Sequence, residues 1–428
     1  MDIHVVRAGE TLYEIAGRYG VSPERLALDN GLENPTRLVT GQTLVILYPE
    51  RSVTVQPGET LSAIAAREGV TVNQLLRNNY GLGGDVTVYP GQTIVIDYRQ
   101  EKQGAMSVNG YVYPFVDREV LRQALPYLTY LTMFTYGFTS EGVLIDLEDE
   151  DLIRLAREYG VAPLMHLSTL TPEGNFSSEL ANRLLNDPAM QERLIDQVLE
   201  VLRAKNYEGL DVDFEFVAPE NRQAYIDFIA SLTARLNAEG YIVVTALAPK
   251  TYAEQPGLLY EAHDYSGIGA VSNAVLLMTY EWGYSAGPPM AVSPIGSVRR
   301  VLDYGVTAIE PSKIYMGMPN YGYDWPLPFE RGVTRAPSIG NVEAVDIAAR
   351  YGAVILYDEA SQAPHFNYFN EAWTEHEVWF EDARSVRAKL ALVPEYGLAG
   401  VGYWNLMRPF PQNWQVLNAL YEIRRGLP

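Results

Sequence analysis

The sequence predicts an α/β chain: a (β/α)8 barrel with a small α+β insertion, preceded by two compact βααβ units. Three observations predict it. Residues 1–98 repeat one pattern, residues 105–428 carry eight strand-like runs with amphipathic segments of helix length between most of them, and one of those runs, 207–217, alternates apolar with acidic side chains. Strands alternating with helices argue for a parallel sheet closed on itself. An internal period of about 50 residues argues for a duplicated module.

The composition bounds the rest. At 428 residues the chain has room for two or more domains and a sizeable core. A formal charge of −21 argues against free nucleic acid or anionic lipid as partner, and acidity that keeps the protein in solution accounts for it. No run approaches the ~18 apolar residues of a membrane span. Met1 to Val6 lack a basic region followed by an apolar one, so no secretory signal is visible. Cysteine is absent, which excludes disulfides, thiolate metal sites and a cysteine nucleophile and leaves either redox compartment open. The five histidines have no ligand-like spacing, so neither a metal nor another cofactor is expected.

The repeat sets Val5 to Ala16 against Thr54 to Ala65, pairing Gly9 with Gly58 and, further on, Gly41 with Gly91. In each copy a short strand meets a Gly-Glu-Thr turn whose threonine, Thr11 or Thr60, can cap a helix with apolar residues at helical spacing. A second helix follows, Pro23 to Asn30 or Val72 to Asn79, with Pro23 suited to a first turn. A Gly-Gln-Thr strand closes each unit. The Gly-Glu-Thr-Leu turn, the Asn30 or Asn79 after the second helix and the closing strand resemble the LysM domain. The boundaries are 1–49 and 50–98. The resemblance implies binding of N-acetylglucosamine-containing glycan; spacers or protein-docking modules are the other reading.

Polar Arg99 to Gly104 reads as a linker. Beyond it the strand-like runs are Val108 to Phe115, Tyr130 to Phe138, Ala162 to Leu167, Gly209 to Val217, Tyr241 to Ala248, Ala274 to Tyr280, Lys313 to Met318 and Gly397 to Trp404. Ala189 to Ala204 and Asn221 to Asn237 are examples of the helices between them. The surplus between the seventh and eighth strands, with alternation in His365 to Phe369 and Glu375 to Phe380, predicts a small inserted sheet walling a cleft.

The fourth run carries the chemistry. Leu210, Val212, Phe214 and Phe216 alternate with Asp211, Asp213 and Glu215, placing three carboxylates on one face with Glu215 near the C-terminal end, where barrel active sites lie. Such crowding raises pKa values. Calcium would need a glycine-containing loop with polar residues between the acids, which Val212, Phe214 and Phe216 are not. Retaining glycosidases place two carboxyls ~5 to 5.5 Å apart across the scissile bond. Asp213 and Glu215, two apart on one strand, are expected to bond to each other instead, which leaves no protein nucleophile.

Asp211 to Glu215 resembles the DxxDxDxE signature of glycoside hydrolase family 18. Met278-Thr279-Tyr280-Glu281 resembles the family's Met-x-Tyr-Asp, and Trp404 stands where the family has its eighth-strand tryptophan. Gly287-Pro288-Pro289 and Met318 to Trp325, which includes Tyr321, are similar to the family's spore-cortex-lytic subgroup with N-terminal LysM repeats. The sequence departs twice: Glu208 replaces the first Asp, and His166-Leu167-Ser168-Thr169 replaces a Ser-x-Gly-Gly. The resemblance implies a TIM-barrel catalytic domain over 105–428 and substrate-assisted hydrolysis.

In that scheme Glu215 is the acid, Asp213 orients the acetamido N–H, Asp211 modulates a shared proton, Tyr280 bonds the acetamido carbonyl and Trp404 floors the pocket. Met278, Glu281 and Tyr321 join Trp404 as substrate-binding positions. The expected partner is peptidoglycan, most directly of the spore cortex, or another N-acetylglucosamine-containing glycan, and the expected location is spore coat, cortex or cell wall. A chitinase and a non-catalytic lectin on the same scaffold stay open.

Overall fold

The structure is a computed structural model that describes residues 1–171 and 176–425. In the first N-terminal unit, strands Asp2–Val5 and Thr43–Ile46 pair antiparallel beside helices Leu12–Tyr19 and Pro23–Asp29. In the second, Pro49–Thr54 pairs with Thr93–Tyr98 beside Leu61–Glu68 and Val72–Asn78. The threonines cap as expected: Glu14 N–H donates to Thr11 Oγ1 while the Glu14 carboxylate takes the Thr11 N–H at 2.9 Å, and Ala63 N–H donates to Thr60 Oγ1 at 3.1 Å.

The recurring asparagines are clamps. Asn30 donates to Leu26 O at 3.0 Å and Val45 O at 2.9 Å and accepts from Val45 N–H at 2.7 Å. Asn79 makes the same three bonds to Leu75 and Val95, at 2.8, 2.8 and 2.9 Å. One buried amide thus ties the second helix to the closing strand in each unit. An aliphatic residue there would strand buried backbone groups.

The barrel closes with eight parallel strands: Ala105–Val112, Tyr130–Phe138, Ala162–Ser168, Gly209–Asp213, Ile242–Leu247, Ala274–Leu277, Ile314–Pro319 and Gly400–Trp404. The first pairs with both the second and the eighth, which completes the ring. Helices cover the outside; Pro188–Lys205, for example, buries Leu194, Ile195, Val198, Leu199 and Leu202 at helical spacing.

Three strands stop three or more residues short of the expected C-terminal end, the first of them at Val112 rather than Phe115. The fourth strand stops at Asp213 rather than Val217, and the sixth at Leu277 rather than Tyr280. The third strand's last pair is Ser168 with Asp213 and the fifth's is Thr245 with Val212, so the chain beyond Asp213 has no ladder to join. Glu215 and the stretch Met278 to Glu281 therefore sit on the loops at the C-terminal mouth.

The insertion is larger than expected. Between the seventh and eighth strands a five-stranded antiparallel sheet forms from Gly322–Pro326, Ser338–Ile339, Leu356–Asp358, Ala363–Phe369 and Glu375–Trp379, backed by the helix Asn341–Tyr351. The stretch around Tyr323 and Trp325 is thus a strand of that sheet.

The expected linker is pinned to the barrel: Gln103 N–H donates to Leu420 O at 2.7 Å and Lys102 Nζ reaches Asn418 O. The first repeat docks as well. Ile355 N–H donates to Thr40 O at 2.9 Å, and a Cβ on Gly41 (φ 88°) would lie 1.8 Å from Ile355 O, so the approach requires glycine. The cavity at this seam, about 170 Å³, is lined by Arg37, Asp346 and Gln412 among others and by none of the three strand acids.

Candidate active site

The fourth strand points Asp211 and Asp213 into the barrel, both buried. Asp211 Oδ2 accepts a 2.5 Å hydrogen bond from Tyr111 at the end of the first strand, and its Oδ1 has no partner among the described residues. Burial pushes the Asp211 carboxyl up to about 7, against the Tyr111 bond, which favours the charged form. Asp213 is held well above the usual carboxylate range by burial first and then by the charges of Glu215 and Asp211. Among the described residues its Oδ1 is unpartnered, and its Oδ2 lies 3.8 Å from His166 Nε2. The expected hydrogen bond between Asp213 and Glu215 does not form, and none links Asp211 to Asp213; with Glu215 off the strand, the two-residue spacing no longer sets their separation.

Glu215, half-buried at the mouth, is pushed up to about 7, mainly by burial and secondarily by the charge of Glu281. Glu281 takes a positive φ of 65° beyond the sixth strand, and its Oε1 accepts from the hydroxyls of Tyr321 and Tyr323, the latter at 2.9 Å. The insertion thereby fixes an acid of the barrel mouth. Tyr280 is buried near Asp213, Glu215 and Glu281, and its phenol is held well above its ordinary range by burial and then by their charges. A Cβ on Gly317 of the seventh strand would come within 2.7 Å of the Tyr280 ring, so that strand carries glycine where the ring crosses it.

Trp404, half-buried at the end of the eighth strand, packs among Phe134, Tyr111 and Tyr113 with ring centroids 5.0, 5.8 and 6.1 Å away. Met278 and Tyr321 pack in the same aromatic cluster as Tyr280 and Tyr323. The structure thus gathers Asp211, Asp213, Glu215, Met278, Tyr280, Glu281, Tyr321 and Trp404 at one end of the barrel.

Glu208 is elsewhere. It lies exposed at the start of the fourth strand, 3.1 Å from Arg157, at the opposite end of the barrel. The position at which Glu replaces Asp therefore lies away from the acids gathered at the mouth.

Sequence reasoning missed Tyr111, Tyr113 and Tyr323. The first two alternate at the end of the first strand, where inward aromatics of a barrel reach the mouth, and that pattern was available. Tyr323 carried no signal of its own.

The family model described as "Glycosyl hydrolases family 18" matches residues 115–408, and the LysM domain model matches 4–47 and 53–97. The chain is 38% identical over 432 residues to the cortical fragment-lytic enzyme of Bacillus anthracis, covering 99% of each. It superposes on the crystal structure of the Bacillus megaterium spore cortex-lytic enzyme SleL with a TM-score of 0.84 at 38% identity, covering 99% of both chains. A chitinase from Chromobacterium violaceum matches 74% of this chain and 98% of its own, with a TM-score of 0.69 and 25% identity. The chain therefore belongs to the glycosyl hydrolases of family 18 and is a glycoside hydrolase carrying two LysM domains.

Proposed function

We propose that this enzyme hydrolyses N-acetylglucosaminyl bonds in peptidoglycan, that of the spore cortex above all, with retention of configuration and with the substrate supplying the nucleophile. The observation that carries the mechanism is the state of the acids. Glu215, raised to about 7, keeps its proton in roughly half of the molecules at pH 7 and in most of them below it, and Glu281, whose charge bears on it, is engaged by two tyrosine hydroxyls rather than free to attack. The full-length likeness to cortical fragment-lytic enzymes, LysM pair included, supports the substrate.

In this reading the 2-acetamido oxygen attacks C1, the C1–O bond breaks, and the Glu215 proton goes to the leaving oxygen. Glu215, now a carboxylate, takes a proton from the water that opens the resulting oxazolinium ion. Asp213 holds the acetamido N–H, Asp211 shares in its protonation, Tyr280 donates to the acetamido oxygen and Trp404 stacks under the sugar. Met278, Glu281 and Tyr321 complete the pocket, Tyr321 through Glu281.

The domains divide as 1–49, 50–98 and 105–428, and the LysM pair raises the local concentration of the barrel on an insoluble polymer. The protein acts at the spore cortex or cell wall. Among the described residues no helix is long and apolar enough to cross a membrane.

Glu215→Gln tests the assignment. Release of reducing ends from purified cortex fragments should fall by ~10²-fold or more, while sedimentation with insoluble cortex stays as in the wild type. Full residual turnover would overturn it. Products from chitin oligomers, analysed beside them by mass spectrometry, decide between a cortex enzyme and a chitinase.

A further inference from the structure

The third strand carries a histidine that the mechanism above does not use. His166 is 1% exposed, packed between Phe134 at 4.7 Å and Tyr111 at 6.0 Å between ring centroids. Its Nδ1 lies 2.6 Å from Thr135 Oγ1, and its Nε2 faces Asp213 Oδ2 at 3.8 Å. The single Thr135 hydroxyl proton has acceptors at Nδ1, at Ser168 Oγ 2.9 Å away and at Tyr136 O 3.1 Å away, and Nδ1 is the nearest of them. A threonine proton given to Nδ1 leaves the ring's own proton on Nε2, pointing at Asp213.

We propose that His166 is a positioning residue for Asp213, a neutral imidazole oriented by Thr135 whose Nε2–H closes on the Asp213 carboxylate when that carboxylate is ionised. The geometry favours this over a packing role for three reasons. Among the described residues Asp213 has no partner on Oδ1 and no hydrogen bond on Oδ2, so its charged form lacks donors. The 3.8 Å separation is about 0.6 Å beyond hydrogen-bond range, a gap that a shift of the ionised carboxylate toward the ring would close. A neutral donor also stabilises the anion without a cation, which would pull down the neighbouring Glu215 and cost it the proton it must deliver. Burial holds His166 down at about 3, which keeps the ring neutral at any working pH.

The other groups facing Asp213 are Asp211 and Glu215 from its own chain, Tyr111 from the first strand, Tyr280 from beyond the sixth and Tyr225 from the helix Arg222–Asn237. The two acids oppose its ionisation. Tyr111 is committed to Asp211. The inference rests on the reading of Asp213 as the acceptor of the acetamido N–H, a role that requires it ionised.

The test is the pH profile of kcat on soluble cortex fragments for the full chain and for His166→Leu, His166→Gln and Thr135→Val, with thermal melts to confirm folding. Losing the donor raises the Asp213 pKa, so the active ionised form is lost at higher pH. His166→Leu should move the acid limb up by roughly one pH unit, about a tenfold fall in turnover on that limb, and leave the alkaline limb in place. Thr135→Val, which removes the group that orients the ring, should move the same limb in the same direction by less. His166→Gln, whose amide can donate, should lie nearer the wild type.

Acid limbs of His166→Leu and Thr135→Val that coincide with the wild type in folded protein, or an equal drop at every pH, would overturn the inference and leave His166 as packing. A wild-type protein that releases no reducing ends at any pH would instead overturn the proposed function, and this inference with it.

Discussion

Replacing Glu281 by Gln separates the two causes that raise Glu215. The glutamine keeps an oxygen to accept from Tyr321 and Tyr323, so the clamp from the insertion survives while the charge is lost. Glu215 stands at about 7 against an ordinary 4.5, with burial the larger cause and Glu281 the smaller. Less than half of that rise can come from Glu281, so removing its charge should lower the Glu215 pKa by about one unit or less. The sign follows from the role proposed for Glu215, which works protonated: a lower pKa means the proton is lost at a lower pH. The alkaline limb of kcat/KM, near pH 7 in the wild type, should therefore move toward acid while the acid limb stays. Reducing-end release from soluble cortex fragments, measured across pH with substrate well below KM, reads the free enzyme's acid. An alkaline limb that stays put or moves to higher pH would refute the idea that Glu281 bears on the acid through its charge.

Asp211, buried and raised from 3.8 to about 7, makes the folded state less stable as it ionises. The stability it contributes as a neutral group is full below its unfolded pKa, declines as pH rises from there, and is gone above about 7. Asp211→Asn should therefore be more stable than the wild type at pH 8, by at most about 4 kcal/mol in urea unfolding, and equally stable at pH 3; equal stabilities at both would sink the burial argument. Asn30→Ala and Asn79→Ala each strand a buried N–H and C=O of the closing strand and should cost about 2–4 kcal/mol in urea unfolding. Gly41→Ala should destabilise more than Gly91→Ala: both have positive φ, but only the former places a Cβ against another backbone, at Ile355 O, and limited proteolysis of the first repeat should rise with it.

What the sequence made legible here follows from which contacts are local. The eight strands were readable because apolar runs and period-two alternation are properties of a few adjacent residues; Tyr130–Phe138 was even read at its observed ends. The threonine caps were readable because a cap and its helix lie within three residues of each other. The end of the fourth strand was not, because alternation continues past Asp213 while pairing stops there, and pairing depends on how far the third and fifth strands run. That difference places the proposed acid. A strand continued to Val217 would hold Glu215 in the ladder, whereas a strand that stops at Asp213 lets it turn over the mouth.

The same distinction sorts the site residues. The acids were legible as a motif, but their environment comes from partners far along the chain: Tyr111 meets Asp211 across 100 residues, and Tyr321 and Tyr323 reach Glu281 across 40 and 42. His166 stood out in the sequence only as a departure from a family pattern. Its relation to Asp213 exists because the second, third and fourth strands are neighbours in that order, which sets Thr135 on one side of the ring and the aspartate on the other. Period-two patterning reports the face a side chain takes, whereas barrel closure decides what it meets there. The pKa values on which this chemistry depends are set by that second step.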